Sequence, residues 1–358
     1  IFAVLFGAGL VMTMTRAEAR EARYAGNWYR RNFWLLLIGA AHGYLLWFCD
    51  ILFHYALMGM LIFPFRHRSP RTLIIIASIL LAFGVLMQVG GGMQMAEMSV
   101  KGPAVLALDE AGETLTEEQS AILRQWESMS AFVKPPEQQV AEDVAAYTGD
   151  YAGILEHRAP MVAMMQTQAT IGFVIWRVGG LMLLGMALMK LGILSGDRSD
   201  AFYRKMMMVG YGVGLPIMLF SSWLMLTNRW EMLWMFRVGV LPNYVGSIFV
   251  AFGHIALLMT IVRGGLMQSL MDRFTAVGRM AFTNYLMHSV ILTTVFYGYG
   301  LGLYGQIPRI WQMLFVAGVL GFQLWFSPWW LARFRFGPAE WLWRSLSYWK
   351  LQPMPKAR

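Results

Sequence analysis

The chain has 358 residues, of which 58% are hydrophobic and 14% charged, and its net charge is +9. A single cysteine excludes intrachain disulfides and cysteine-rich metal sites. The positive charge does not point to nucleic acid, because the basic residues lie in short segments between long apolar runs, where they set orientation in a membrane.

A hydrocarbon slab takes roughly 20 apolar residues per helix, so each long apolar run is a predicted span. Ile1–Met14 is short for one and does not begin with Met, so the numbering is expected to start inside a longer natural protein. Residues 33–65, which include Leu35–Phe48, would make a single helix of ~50 Å, too long for the slab. A tight helical hairpin turning near Cys49–Asp50 fits better. Leu73–Val89 follows, with Gly90–Gly92 read as its terminus. Then come Thr167–Met189, Met206–Leu226, Val245–Val262, Met280–Phe296 and Ile310–Leu331. The expected fold is an all-α polytopic transmembrane bundle of about nine spans here and about ten in the natural chain. Its segments are 1–93 with the hairpin, an acidic outer segment 94–160, helices over 161–331, and a cytoplasmic tail 332–358.

The outer segment holds twelve of the twenty acidic residues against four Lys or Arg. It contains two amphipathic stretches. Thr116 and Gln119 have the spacing of a capping box before the first. The second runs from Pro136 to about Tyr147, with Gly149 as its stop. The segment is either an ordered helical cap or a solvated acidic loop, and it is too short for an independent enzyme domain. Phe336–Lys350 is too polar to span and reads as an interfacial helix, with Glu340 serving its start.

Basic residues concentrate in 16–31 (Arg16, Arg20, Arg23, Arg30 and Arg31 against Glu18 and Glu21), 66–71, 190–205, 263–279 and the tail. These segments should be cytoplasmic. The turn near Asp50, 94–160, 227–244 and 297–309 should face outward. No phosphate-binding loop, dinucleotide fingerprint, zinc-protease motif or nucleophile elbow occurs.

Ionisable groups at membrane depth are costly, so each needs a partner or a task. His42, His254 and His288 fall at similar depth on three spans, each about ten residues from a cytoplasmic Arg. Neutral imidazoles can simply bond helices together, and depth alone does not assemble a metal site. Asn284 is four positions from His288 and shares its face. Arg177 stays charged and must meet a carboxylate, a wet cavity or an anionic ligand, unless it snorkels outward. Asp50 and His54 flank the hairpin turn. Asp50 could cap the following helix or orient His54 or His42 as a general base.

Several motifs carry a resemblance. They are Phe-Ala-Val-Leu-Phe-Gly-Ala-Gly (2–9), Arg-Arg (30–31), Gly-x-x-His (39–42), Asp-Ile-Leu-x-x-Tyr-Ala-Leu-x-Gly (50–59) and Tyr-x-Gly-x-Tyr (147–151). Late in the chain stand Gly-Arg-Met-Ala-Phe-Thr-Asn-Tyr-Leu (278–286), Phe-Tyr-Gly-x-Gly-Leu-Gly-Leu (296–303) and Phe-x-Phe-Gly-Pro-x-Glu-Trp-Leu-Trp-Arg-Ser-Leu (334–346). With these the chain resembles the DUF418, or YeiB-like, family of bacterial membrane proteins over essentially its whole length. Cys49 and His288 stand where that family often has Gly and Gln. The resemblance implies a multi-pass protein of the bacterial inner membrane. The family is often described as transport proteins, and it is distantly similar, in architecture and an early intramembrane His, to membrane acyltransferases.

Three functions follow as expectations. The first is an acyltransferase with His42 as base, Asp50 or His54 orienting it, and Arg30 and Arg31 attracting the phosphates of an acyl-CoA donor. Arg177, Asn284 and His288 would line its substrate cavity. The second is a transporter or flippase for an anionic or amphipathic molecule, with Arg177 binding the anion. The third is a non-catalytic scaffold. Expected partners are membrane lipids and a small-molecule or lipid-linked substrate. No cofactor, metal or nucleic acid is expected, and the oligomeric state stays open.

Overall fold

The computed structural model describes residues 1–19 and 24–356, with Arg237 by its backbone alone. Arg20, Glu21 and Arg23 of the first basic loop lie outside the described residues, as does Arg358 of the tail. The helices in chain order are α1 (Phe2–Glu18), α2 (Ala25–Leu45), α3 (Leu52–Ile62), α4 (Pro70–Glu110), α5 (Glu117–Val133), α6 (Glu137–Thr148), α7 (Tyr151–Met164), α8 (Gly180–Lys190), α9 (Asp200–Thr227), α10 (Met232–Trp234), α11 (Val240–Arg263), α12 (Gln268–Arg279), α13 (Ala281–Phe296), α14 (Arg309–Arg333) and α15 (Pro338–Tyr348). A 3-10 turn follows α3, and π-helical segments over Met165–Gly179 and Met235–Gly239 join α7 to α8 and α10 to α11. Among the described residues the one β-type pairing is an isolated bridge between Phe334 and Pro355.

The all-helical expectation holds. Among the described residues, five helical stretches are long and apolar enough to cross a membrane: Pro70–Glu110, Tyr151–Lys190, Asp200–Thr227, Val240–Arg263 and Arg309–Arg333. The other four predicted spans coincide with α1, α2, α3 and α13, which have 17, 21, 11 and 16 residues. The hairpin is present as α2 and α3 around a turn over 46–51. Thr116 and Gln119 form the capping box reciprocally, and α6 stops one residue before Gly149.

Gly90–Gly92 does not end a helix. α4 runs through it for 41 residues. Glycine in a helix interior costs up to ~1 kcal/mol against alanine, and Gly92 has a packing reason to be there. A methyl group at that position would sit 2.4 Å from the carbonyl oxygen of Phe236. Gly92 marks a close backbone approach, not a terminus.

The chain divides into two compact units. One comprises Ser78–Ala141 and Leu194–Thr260; the other comprises Phe2–Ala77, Glu142–Ile193 and Ile261–Arg358. In the first, Gly210 and Gly214 of α9 meet Gly253 and Gly246 of α11 backbone to backbone. In the second, α1 crosses α8 in the same manner. A methyl at Gly7 would fall 1.8 Å from the Met182 carbonyl oxygen, and one at Gly185 would fall 1.9 Å from that of Val4. Val4, Leu10, Leu183 and Met186 fill the space around that crossing. Small residues at helix contacts let dispersion and weak backbone contacts replace the hydrophobic drive that a bilayer lacks.

Candidate active site

The second unit gathers its polar side chains where the α2–α3 turn meets α13. Gly39 makes this approach feasible. A methyl there would lie 2.2 Å from the Phe53 nitrogen and 2.8 Å from Asp50 Oδ2. The Gly-x-x-His spacing thus seats α2 directly on the Asp50 turn, one helical turn below His42.

Asp50 performs both tasks that the sequence left open. Its Oδ2 accepts the Phe53 N–H at 2.7 Å, closing the first turn of α3. Its Oδ1 lies 2.9 Å from His42 Nδ1 and accepts the Tyr285 hydroxyl at 3.2 Å. Tyr285 in turn accepts the Ile51 N–H at 3.1 Å. The other ring nitrogen of His42, Nε2, is 2.8 Å from Ser289 Oγ. His42, Asp50 and Ser289 are 3%, 6% and 8% exposed. With Asp50 ionised and His42 neutral, Nδ1 carries the proton, because a carboxylate can only accept, and Nε2 accepts the Ser289 hydroxyl. The result is a serine–imidazole–carboxylate chain in a dry environment, where such bonds are stronger than in water.

The remaining predicted residues sit elsewhere in relation to this chain. His54 shares a helix face with Asp50 but bonds its backbone carbonyl at 3.1 Å through Nδ1, and the Met165 carbonyl at 2.9 Å through Nε2. It is a strut between α3 and the π-helical segment. A neutral ring donates to only one of these two carbonyls. Asn284 and His288 share a face as expected, and that face meets α14. Asn284 donates to the Ser327 hydroxyl and the Val277 carbonyl, and Gln323 donates to the Asn284 carbonyl and approaches His288 Nδ1 at 3.4 Å. The neighbouring face of the same helix, Tyr285 and Ser289, is the one that reaches His42. His254 belongs to the other unit, where it donates to the Val250 carbonyl and packs on Tyr211. Among the described residues no three His, Cys, Asp or Glu side chains come together as a metal ion would require.

Arg177 is half-buried in the π-helical segment. Among the described side chains, the fully buried arginine is Arg158, at 1% exposure. Its two terminal nitrogens donate to the Leu46 and Tyr44 carbonyls at the end of α2. A cation there offsets the helix dipole and anchors the turn that carries Asp50. Arg30 is exposed, while Arg31 stacks over the Trp343 ring at 4.4 Å, and Trp343 donates to the Arg31 carbonyl. These arginines mark the far end of α2 from His42, eleven residues or ~16 Å away.

Glu340 lies in the first turn of its own helix, as expected, and its oxygens also reach a second helix. Its Oε1 accepts the N–H groups of Phe282 and Thr283, and its Oε2 accepts the Thr283 hydroxyl. The Thr283 oxygen accepts the Ala339 N–H. The carboxylate of α15 therefore caps α13, whose first N–H groups have no partner within the helix. Gly337 leaves room for it, since a methyl there would lie 2.2 Å from Glu340 Oε2.

Outside the spans, Tyr147, Tyr297 and Tyr304 pack together beside Arg158 and Asp143. Burial pushes all three phenols above their ordinary range, and Asp143 pushes Tyr304 further the same way.

Comparison with known proteins places the chain in a family. The model described as protein of unknown function (DUF418) matches residues 188–350. The uncharacterized protein YxaH of Bacillus subtilis (strain 168) is 31% identical over 368 aligned positions, covering 99% of this chain and 80% of the relative. The uncharacterized protein YeiB of Escherichia coli (strain K12) is 30% identical over 356, covering 97% and 80%. An uncharacterized 39.9 kDa protein from Bacillus acidopullulyticus is 27% identical over 121 positions, 34% of this chain and 33% of the relative. No solved structure matches the chain. With near-complete coverage by relatives of this identity, the chain belongs to the DUF418 family.

Proposed function

We propose that the chain is a membrane-embedded acyltransferase of the bacterial inner membrane. It moves an acyl group from a cytoplasmic donor, with acyl-CoA as the candidate, to an acceptor hydroxyl or amine at or across the bilayer. The observation that carries this reading is the pairing of His42 with Asp50 on one ring nitrogen and with a hydroxyl on the other. An imidazole whose Nδ1–H is held by a carboxylate presents a basic Nε2, which is the arrangement general-base chemistry on a hydroxyl needs. Burial of all three groups supports the reading, because it strengthens the bonds and keeps water from competing.

The basic loops face the cytoplasm in this account, and Arg30 and Arg31 raise the local concentration of an anionic donor at that end of α2. His54, Asn284 and His288 hold helices in register around the site. Arg177 stays a candidate substrate contact, placed by sequence alone.

The test uses purified protein in liposomes and acetyl-CoA or palmitoyl-CoA, with release of free thiol as the readout. Wild type is expected to release thiol, and His42→Ala to lose about 100-fold or more of the rate. A His42→Ala rate equal to wild type refutes the assignment. Absence of thiol release together with flux of an anionic solute points to transport instead. Loss of stability alone in His42→Ala and Asp50→Asn points to a scaffold.

A further inference from the structure

We infer that Ser289 is a nucleophile that carries the acyl group covalently, so that transfer proceeds in two displacements through an acyl-serine. This rests on the acyl-transfer reading above and adds to it the residue that attacks the donor.

Three observations carry it. The first is where the Ser289 hydroxyl points. Ser and Thr side chains in helices commonly bond the carbonyl one turn back. Thr13, Thr170, Thr227, Ser247, Thr275 and Thr293 all do so here. Ser289 instead reaches across to His42 Nε2 at 2.8 Å, over a sequence separation of 247 residues. The second is that the base is fully oriented. Asp50 is itself held at both oxygens, by Phe53 N–H on one and by Tyr285 on the other, so the His42 ring cannot turn without breaking the chain. A serine beside an imidazole that is positioned by a third group has the constellation of an activated nucleophile. The third is an unused donor. Gln166 Nε2 is buried and has no partner among the described residues. It faces the space over Gly43, where a methyl group would stand 3.1 Å from it and 3.7 Å from Asp50 Cβ. A buried amide donor beside Asp50 that no described protein group satisfies is one that a polar group of a bound substrate can satisfy.

The steps balance. Ser289 Oγ bonds to the acyl carbon of a thioester as His42 Nε2 takes the hydroxyl proton. The carbon–sulfur bond breaks, and the proton passes from His42 to the departing thiolate. In the second displacement the acceptor oxygen or nitrogen attacks the acyl-serine carbon and gives its proton to His42. The bond from carbon to Oγ breaks, and the proton returns to Ser289.

The experiment uses the full chain in detergent, treated with a fluorophosphonate probe, which traps activated serines whatever the natural acyl group. The modified residue is located by peptide mass spectrometry. In parallel, thiol release from acetyl-CoA is measured. The expected result is modification at Ser289, absent from Ser289→Ala and slowed about 100-fold or more in His42→Ala. Because the site is mapped in wild type, the result does not depend on a variant folding. If thiol release depends on His42 while Ser289 stays unmodified and Ser289→Ala keeps the wild-type rate, the covalent step is wrong and the acyl-transfer reading stands. If Ser289 is modified but no thiol is released, the nucleophile stands and the thioester donor is wrong. If neither occurs, both are wrong.

Discussion

Replacing Glu340 with alanine is expected to loosen the start of α13, the helix that brings Tyr285 and Ser289 to the site. The carboxylate accepts the Phe282 N–H at 2.7 Å, the Thr283 N–H at 3.0 Å and the Thr283 hydroxyl at 2.5 Å. A hydrogen bond to a charged group contributes about 1.5–3 kcal/mol. A negative charge at a helix N-terminus adds ~0.3–1 kcal/mol. Three bonds to one side chain are not additive, so the expected loss is about 3–5 kcal/mol, well below their sum. Glu340→Gln keeps the shape and one acceptor but removes the charge, and should lose about half as much. Thermal unfolding of the purified protein in detergent, followed by tryptophan fluorescence, is the assay. The expected order of stability is wild type, then Gln, then Ala. A Glu340→Ala protein that melts with wild type would show that the clasp between α15 and α13 does not hold the helix, and the reasoning would fail.

Gly39→Ala should cost more than an ordinary surface change, at least ~1–3 kcal/mol of overpacking, because its methyl has backbone on one side and Asp50 on the other; a melting temperature equal to wild type would contradict the close approach. Asn284→Ala should lower stability by about 1–3 kcal/mol by removing the donor to the buried Ser327 hydroxyl and one of two donors to the Val277 carbonyl. It should leave the pH dependence of thiol release unaltered, whereas a shifted pH profile would place Asn284 in the chemistry. The outer tyrosines give a pH effect of defined sign. Their raised values mean that the fold favours the neutral phenol, so their stabilising contribution is complete below the ordinary tyrosine value of about 10 and is lost as pH rises through the raised one. Replacing Tyr147, Tyr297 and Tyr304 together with Phe should remove that alkaline component from melting curves recorded above pH 9, and an unchanged alkaline slope would contradict the assignment.

Much of the fold was legible because apolar run length and loop chemistry are local signals. The α2–α3 hairpin followed from a stretch too long for one helix, and the Thr116–Gln119 box from spacing alone. His42 and Asp50 were legible because a charge or imidazole in an apolar run demands a partner. Ser289 and Tyr285 were missed for the opposite reason. Neutral hydroxyls are common in membrane helices, and only the position of α13 relative to α2 shows which face they present. The i, i+4 spacing was available, but it was read on the adjacent pair, Asn284 and His288. Glu340 lies in the first turn of its own helix, as its position implies, but its hydrogen-bond partner Thr283 lies 57 residues away, beyond the reach of local reading. Two pairs of sequence motifs meet in space: 278–286 with 334–346 through Glu340, and 39–42 with 50–59 through His42 and Asp50. Arg158 went unnoticed among the acidic residues of the outer segment, although the fold buries it.

Everything proposed about chemistry depends on Asp50 fixing the proton on His42 Nδ1 so that Nε2 faces Ser289 as a base. Asp50→Asn tests this most directly, since the amide keeps the shape while removing the charge and the tautomer preference. The single-turnover rate of thiol release from acetyl-CoA should fall by about 100-fold or more, with donor affinity little altered. A rate within about twofold of wild type, from a protein that melts normally, would contradict the account.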